Sequence, residues 1–404
     1  MTPLRKNRDF VLLQAGQLFS TTGTQATAIA YPLLVLATTH SPTRAGVVGF
    51  ANIVPYALFG LFAGVAADRW NRRSLMLAAD GIRIAAVGSL VVALAFDSLS
   101  FAQIAIVAFV EGSAFVFFNI AEVGALRSVV ETAQLPDAAA AEQARFATVT
   151  LVGPSLGGAL FGVGRAVPFL ADAVSYVFSL VSLLAIRTPF QEQRAADTAR
   201  LRTQIAEGFR FLWTQPFLRT CAILFAGSNF TFQGLFLVFV VVAKRHGLSS
   251  AGIGACIALF GACALLGSLV APLVTRALSM RTIVVANLWL AAAIAAFVVH
   301  PSVYVLLASS LPEAFLIPAL NSVVIGYRTA VTPDRLIGRV SSVARNIALF
   351  AQPLGPLAAG LLLGAYSPRT TVLVLTAICL ALAAWGTLSP SIRKAPSLSE
   401  LATA

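Results

Sequence analysis

The sequence predicts an all-α membrane protein with twelve transmembrane helices arranged as two pseudo-symmetric six-helix bundles. Three observations support this fold class: a composition that is 58% hydrophobic and only 11% charged, twelve apolar runs of spanning length, and polar landmarks that recur between the two halves. A soluble domain carries about 25% charged residues, so this 404-residue chain is too apolar for that class.

Each predicted span is an apolar run close to the roughly 20 residues that cross a bilayer. We number these spans 1 to 12 along the chain. They cover approximately residues 10–38, 45–66, 74–96, 101–126, 141–163, 167–187, 217–243, 250–274, 282–299, 302–327, 339–364 and 370–389.

One long polar stretch separates the first six spans from the last six. We therefore predict an N-terminal six-helix bundle at 1–188, a cytoplasmic linker at 189–216 and a C-terminal six-helix bundle at 217–404. The linker has apolar residues at helical spacing, namely Leu201, Ile205, Phe209 and Leu212. This pattern predicts an amphipathic helix lying on the inner membrane surface, although a solvated loop is the alternative.

Membrane topology explains the net charge of +12 without a nucleic-acid partner. With the amino terminus inside, the outer loops hold only five of the 28 basic residues: Arg44, Arg165, Lys244, Arg245 and Arg369. This asymmetry follows the positive-inside rule and puts both termini in the cytoplasm. The apolar run behind the basic amino terminus is too long for a signal-peptide core, so we expect it to be retained.

Motifs for enzyme chemistry are absent from the sequence. It has no phosphate-binding loop, zinc-ligand cluster or nucleophile elbow, so we expect neither an enzyme nor a cofactor or metal site. The four cysteines lie inside spans without metal-ligand spacing and are expected to be core residues: Cys221, Cys256, Cys263 and Cys379.

Three landmarks recur in the second half after a shift of 202 positions. They are Glu111 with Glu313, Asn119 with Asn321, and Gly153-Pro154 with Gly355-Pro356. Internal repeats of this kind, with binding sites near the bilayer midplane, are typical of secondary transporters.

The most specific motif is the stretch GVAADRWNRR between spans 2 and 3. Five of its residues fit the pattern Gly-x-x-x-Asp-Arg-x-Gly-x-Arg-Arg in its shorter form: Gly64, Asp68, Arg69, Arg72 and Arg73. Through this motif the chain resembles the major facilitator superfamily, which implies that family's fold. Asn71 stands where the family usually has Gly, and because Asn readily adopts a left-handed conformation we expect the turn to be kept.

The resemblance implies that this loop latches the two halves on the cytoplasmic side through charge pairs between Asp68 and the arginines. The alternative is that the arginines only hold the loop inside. We favour the latch, because retention alone does not require Asp68.

The stretch TLVGPSLGG resembles the helix 5 motif of drug and proton antiporters through Gly153, Pro154, Gly157 and Gly158. Its glycines would let helices approach closely and its proline would bend the helix, so packing and a signature of export both remain open. Four further stretches resemble the bacterial exporter branch that includes macrolide efflux and enterobactin export proteins, which implies a bacterial cytoplasmic (inner) membrane. They are RSLMLAADGIR, EGFRFLWTQPFLR, VTPDRLIGRVSSVARN and FLADAVSYVFS.

Glu111 and Glu313 are the leading functional candidates. A carboxylate in the middle of an apolar span costs about 3 kcal/mol, so it normally faces protein or a wet cavity. The resemblance implies that spans 1, 4, 7 and 10 line a central cavity, and we predict that both glutamates face it. We further predict that Glu111, Glu313 or both bind the proton and help to hold a cationic or polar group of the substrate. The alternative is that each stays neutral and joins neighbouring helices. The arginine that many such antiporters carry in span 4 is replaced here by Ala108.

Other polar or aromatic residues are weaker candidates for the substrate cavity: Asn119, Asn321, Gln25, Asn229, Gln233 and Phe236. We expect Asp172 and Glu122 to lie near span ends within reach of water. Asp80 and Arg83 are expected to form a local ion pair. Arg145 is expected to pair with Glu142, Asp68 or lipid phosphate.

The function predicted from these features is a secondary active transporter that exports small amphipathic drugs or metabolites by alternating access, driven by proton antiport. We expect a monomer whose partners are a small-molecule substrate, protons and membrane lipids. A lipid flippase, a transport-dead receptor or scaffold, and an importer are the alternatives.

Overall fold

The computed structural model describes residues 3–191 and 201–396 of the chain. Within these ranges the side chains of six residues lie outside the description: Leu61, Val65, Asp68, Leu201, Arg202 and Gln204. The described backbone consists of helices joined by short turns and has no β-strand. The all-α prediction is therefore confirmed.

Six long helices form the first half of the chain. They are α1 (Arg8–Thr39), α2 (Pro42–Arg69), α3 (Arg72–Ala95), α4 (Phe101–Val129), α5 (Leu135–Val163) and α6 (Val167–Ala185). Two 3-10 turns, Leu4–Lys6 and Thr132–Gln134, precede α1 and α5.

The second half begins with a separate linker helix and contains several broken helices. Its helices are α7 (Leu201–Thr214), α8 (Pro216–Arg245), α9 (Ser250–Ala277), α10 (Met280–Ala291), α11 (Ala296–Val299), α12 (Val303–Val331), α13 (Ile337–Phe350), α14 (Leu354–Ala365), α15 (Pro368–Leu388) and α16 (Pro390–Arg393). The 3-10 turns Ala292–Ala295 and Asp334–Leu336 join α10 to α11 and precede α13.

Ten helical segments in the described part of the chain are long and apolar enough to cross a membrane, and they correspond to spans 3 to 12. At the positions of spans 1 and 2 the structure has α1, with 32 residues, and α2, with 28 residues. The multi-pass prediction is thus confirmed for ten spans, and the count of twelve stays a prediction. Glutamine, serine and threonine along α1 lower its apolarity.

Side-chain caps explain where many of these helices begin. In each case an Asn or Ser just before the helix accepts a hydrogen bond from a main-chain N–H of the first turn, which would otherwise lack a partner. The capping residues are Asn7, Ser41, Asn71, Ser100, Ser279 and Ser367.

The structure divides into two compact units. The first is the described part of Met1–Asp197 together with Gly247–Ala258. Within it, α1 packs along α5 and α6, α2 along α4, and α3 along α4 and α6. The short stretch Gly247–Ala258, which the sequence assigns to the C-terminal bundle, therefore packs with the first unit.

The second unit is the described part of Thr198–His246 together with Leu259–Ala404. Here α8 packs against α13, α14 and α15, and α10 packs against α12 and α15. At the position of the predicted linker helix the structure has α7, which packs against α13. Leu212 of α7 is wholly buried in the core of this unit and Ile205 packs against it, whereas Phe209 is 44% exposed. Part of the apolar face of α7 thus contacts protein, and its position on a membrane surface stays a prediction.

Candidate functional site

A cluster of buried charged and phenolic side chains lies inside the first unit, where α1, α3, α4 and α6 meet. Each of its members is at most 4% exposed. We call this the buried charge cluster, and its members are Tyr31, Asp80, Arg83, Glu111, Asp172 and Tyr176.

Glu111 of α4 is held by two tyrosine hydroxyls. Tyr31 of α1 donates to Oε2, and Tyr176 of α6 donates to Oε1 at 3.0 Å. The side chain is only 2% exposed, so the expectation that Glu111 faces a wet cavity is not met. The physical reason is that the two phenols satisfy the carboxyl inside the helix bundle, where water would otherwise be needed.

Asp172 lies beside Glu111 in the same cluster and is wholly buried. Its Oδ2 accepts from Thr27 Oγ1 at 3.1 Å, and its Oδ1 accepts from Ser175 Oγ at 3.3 Å. The expectation that water reaches Asp172 near the end of its span is therefore wrong. The main chain of α1 covers it at Gly23, where any Cβ atom would collide with the Asp172 and Ser175 side chains.

Arg83 supplies the positive charge of the cluster. Its Nη1 lies 3.6 Å from Oδ1 of Asp80 one turn earlier, which matches the predicted local ion pair, although both groups are almost completely buried. The guanidinium carbon also lies 4.6 Å from the ring centre of Tyr176, and 5.2 Å and 5.5 Å from those of Phe115 and Phe118. Cation–π contacts of this kind partly replace the solvation that burial removes.

The charge balance of the cluster favours the presence of a proton. Three carboxyl groups, those of Asp80, Glu111 and Asp172, share one guanidinium within the described residues. Full ionisation would leave two uncompensated negative charges in a low-dielectric environment, where like charges repel strongly. One bound proton halves this imbalance.

A second buried ion pair lies on α4 and α5. Arg145 Nη1 donates to Oε1 of Glu122 at 2.8 Å, and Arg145 Nη2 lies 3.8 Å from Oε1 of Glu142. The predicted pairing with Glu142 is thus present, but the shorter contact is with Glu122. Glu122 is only 6% exposed, so the expectation that water reaches it is wrong.

Glu313 lies in the second unit, on α12, in different surroundings. It is 8% exposed, and its carboxyl has no hydrogen bond to any residue that the structure describes. The two glutamates that the repeat relates therefore differ: one belongs to a charged network and the other is a solitary acid.

The other predicted cavity residues do not join either glutamate through a recorded hydrogen bond. Asn229 donates from Nδ2 to the main-chain oxygen of Ala348 at 3.0 Å, so it links α8 to α13. Asn321 is exposed, and the half-buried residues are Asn119, Gln25, Gln233 and Phe236.

The motif between α2 and α3 contacts the end of α6 and the chain that follows it. Arg73 Nη2 donates to the Leu184 oxygen at 2.7 Å, and Arg72 Nη1 donates to the Phe190 oxygen at 3.3 Å. Gly64 and Arg69 lie in α2, whereas the Asp68 side chain lies outside the described residues. The latch role of this motif stays a prediction.

The expected left-handed conformation of Asn71 is wrong. Its φ is −62° and its ψ is 116°, and its side chain accepts a hydrogen bond from Ser74 N at 3.1 Å. Asn71 is the N-cap of α3, and an N-cap residue adopts an extended backbone so that its side chain can reach the first turn.

The helix 5 motif packs α5 against α1. A Cβ atom at Gly153 would lie 2.5 Å from the Gln25 Cβ, and one at Gly157 would collide with the Ala26 main chain. Gly158 faces the main chains of Ser250 and Gly254, which belong to the same unit. Pro154 is buried within α5. In the second unit, Gly355 lies against the main chain of Phe230 and the side chain of Gln233.

Sequence reasoning did not select Tyr31, Arg83 or Tyr176 as site residues, although each touches an acidic member of the buried charge cluster or its arginine. The available signal was the helical spacing of polar residues on the later helix: Asp172 and Tyr176 are four apart and face the same side. No group of three or more potential metal ligands occurs among the residues described here.

Comparison with known proteins identifies the same fold and related transporters. Residues 14–281 match the family model described as Major Facilitator Superfamily. The multidrug efflux pump Tap of Mycolicibacterium fortuitum is 25% identical over 402 residues, which cover 96% of this chain and 97% of that protein. Macrolide efflux protein A of Enterococcus faecalis is 30% identical over 140 residues, covering 34% of this chain and 43% of that protein.

A solved structure supports the fold alone, because its sequence identity is low. The crystal structure of a bacterial homologue of the human lysosomal transporter Spinster, in an inward-facing and unoccupied conformation, has a TM-score of 0.75 and 16% identity. The match covers 96% of this chain and 98% of that one.

Proposed function

Because the chain belongs to the major facilitator superfamily, we propose that it exports small amphipathic molecules by alternating access and takes up protons in exchange. The export direction is supported by its similarity, over nearly its whole length, to the multidrug efflux pump Tap. We place it in the bacterial cytoplasmic membrane with both termini in the cytoplasm, as the distribution of basic residues favours.

The observation that carries the proton step is the buried charge cluster, in which three carboxyls share one guanidinium. We assign the exchangeable proton to Glu111, since its two tyrosine partners come from two other helices. An ionised carboxylate accepts from both hydroxyls, whereas a protonated carboxyl can donate its own O–H to one hydroxyl and accept from the other, so a change of protonation reverses the direction of one hydrogen bond. Protonation of Glu111 would thereby change the bonds that join α4 to α1 and α6.

Glu313 is proposed to contribute at the second unit by holding a cationic or polar group of the substrate. It is a nearly buried acid with no hydrogen bond among the described residues, so a cationic ligand would supply a favourable partner. Asn119, Asn321, Gln25, Asn229, Gln233 and Phe236 remain candidates for the cavity wall.

The driving force is adequate for export. Moving one elementary charge through a potential of about 100 mV supplies about 2.3 kcal/mol, so a single exchanged proton could sustain an appreciable substrate gradient.

The test uses the purified protein in lipid vesicles with an imposed pH gradient and a fluorescent cationic dye as the transported probe. Glu111→Gln and Glu313→Gln are expected to reduce gradient-driven dye flux. Glu142→Gln, which removes a more exposed acid near the start of α5 in the same unit as Glu111, serves as the matched control. Full activity in both single variants and in the double variant would contradict the proposal. Movement of labelled lipid, or dye binding without flux, would instead support a flippase or a receptor.

A further inference from the structure

Tyr176 contacts both the positive charge of the buried cluster and one of its acids, Glu111. Its ring centre lies 4.6 Å from the guanidinium carbon of Arg83, and its hydroxyl donates to Glu111 at 3.0 Å. The other phenol, Tyr31, also donates to Glu111 but has no recorded contact with Arg83. One phenol is therefore shared between the acid and the arginine, and the other is not.

Arg83 and Asp80 have hydrogen-bonding capacity that their present contact leaves unused. They approach at 3.6 Å, which is longer than a hydrogen bond. Nε and Nη2 of Arg83 and both carboxyl oxygens of Asp80 are buried without a hydrogen-bond partner among the described residues. A buried donor or acceptor without a partner is destabilising, and more so when it is charged. Glu111 and Asp172, in contrast, each accept two hydrogen bonds.

Arg83 is the cation of the buried charge cluster, so it is the group that can respond to a change of charge on Glu111. The charged and titratable groups of the cluster come from α1 (Tyr31), α3 (Asp80 and Arg83), α4 (Glu111) and α6 (Asp172 and Tyr176). The remaining acid of α4, Glu122, has its own guanidinium in Arg145.

We propose that Arg83 is the positioning residue for proton exchange, and that its guanidinium moves across the face of Tyr176 from Asp80 towards Glu111 when the proton leaves. This inference rests on the proposed proton antiport. In this step the O–H bond of the Glu111 carboxyl breaks, the proton passes to water, and Arg83 stays a cation throughout. The new Glu111 carboxylate gains Arg83 as a charge-assisted partner, and Asp80 loses it. The net charge of the cluster changes by one unit because one proton leaves.

The geometry also explains why the Arg83 guanidinium would move along the face of an aromatic ring. A guanidinium that leaves a carboxylate in an apolar interior needs another favourable interaction during the movement, because an unpaired charge is strongly destabilised there. The faces of Tyr176, Phe115 and Phe118 surround Arg83 within 5.5 Å and supply cation–π attraction.

The experiment compares two phenylalanine variants in the vesicle assay. Tyr176→Phe and Tyr31→Phe each remove one of the two hydroxyls that donate to Glu111. Both variants keep the aromatic ring, so both are expected to fold. Each is combined with Arg83→Lys, which keeps a positive charge but loses the planar fork. The readout is the ratio of pH-driven dye flux to dye counterflow without a pH gradient, measured across a range of pH values.

We expect Arg83→Lys to lower this ratio at least about tenfold, which corresponds to the loss of one charge-assisted hydrogen bond. Adding Tyr176→Phe to Arg83→Lys should then change the ratio little, whereas adding Tyr31→Phe should lower it by the same factor as Tyr31→Phe does alone. Asp80→Asn, which removes the resting partner, should shift the pH at which flux is half-maximal.

Three outcomes would overturn the inference: an unchanged ratio in Arg83→Lys, equal loss of driven flux and counterflow, or the same behaviour of both tyrosines when combined with Arg83→Lys. If Glu111→Gln alone retains full driven flux, the proposed proton site fails as well. If Glu111→Gln loses driven flux and the two tyrosines behave alike, the proton site stands and only the role of Arg83 is lost.

Discussion

Arg145 of α5 donates a hydrogen bond to Glu122 of α4 at 2.8 Å, and only 11% and 7% of their side-chain surfaces are exposed. The pair joins two helices of the first unit next to the buried charge cluster. Because both charges are withdrawn from water, each depends on the other for compensation.

Arg145→Met is expected to destabilise the protein by about 3–5 kcal/mol, since it leaves Glu122 buried without its partner. The double variant Arg145→Met with Glu122→Gln should recover much of this loss. Thermal unfolding in detergent, followed by size-exclusion chromatography of heated samples, measures both. Equal unfolding temperatures for the single and the double variant would show that the pair does not act as a unit.

Gly157→Val is expected to destabilise the first unit by about 1–3 kcal/mol, because a side chain there would push α5 away from the Ala26 main chain of α1. The matched control is Gly162→Val on the same helix, where an added Cβ would meet no atom within 4 Å. Expression level and thermal unfolding of the two variants are compared. A similar loss in both would mean that the substitution acts through the helix itself and not through packing.

These contacts also indicate what the sequence could predict. The repeat of 202 residues pairs Gly153 with Gly355, and each of these glycines packs against a glutamine of the first long helix in its own unit. A glycine between apolar residues at a repeated position is a local signal, so it can be read without knowledge of the helix arrangement. The twelve apolar runs are local signals of the same kind.

The orientation of Glu111 could not be predicted in this way. Its location in a phenylalanine-rich run is conspicuous, but its two hydrogen-bond partners are 80 and 65 positions away in the sequence. Both partners are tyrosines, and because tyrosine is also common at membrane interfaces, its presence does not identify a buried partner. The burial of Asp172 could not be predicted for a related reason. Its position near the end of span 6 suggests access to water, whereas the close approach of α1 at Gly23 excludes water from it.

Asn71→Ala is expected to destabilise the protein by about 1 kcal/mol, because it removes the side-chain acceptor for the Ser74 N–H at the start of α3. Asn71→Gly, which introduces the residue more usual in this family, should cost only a few tenths of a kcal/mol. Asn71→Ser should be close to neutral. Unfolding temperatures of the three variants, measured in one detergent, give the ranking, and a glycine variant that is less stable than the alanine variant would contradict the capping role.

Asp9 ties the beginning of α1 to the chain that follows α6. It lies in the first turn of α1, ahead of the predicted span 10–38, and accepts from Thr188 Oγ1 at 2.6 Å, Thr188 N at 2.8 Å and Arg187 N at 3.2 Å. Partial burial alone would raise the pKa of this carboxyl. The hydrogen bonds from Thr188 and Arg187 outweigh that effect, so the pKa of Asp9 lies below its ordinary value of 3.8.

Because the folded-state pKa is the lower one, the Asp9 carboxylate stabilises the fold fully above the ordinary value, and this contribution is lost as the pH falls through the folded-state pKa. Asp9→Asn is therefore expected to lower stability by about 1 kcal/mol at pH 7, and its difference from the unaltered protein should shrink towards pH 3. Thermal unfolding between pH 7 and pH 3 measures this difference, with Glu131→Gln, which replaces an exposed acid, as the control. A difference that stays constant with pH would mean that the charge of Asp9 does not contribute, and that only the shape of its side chain matters.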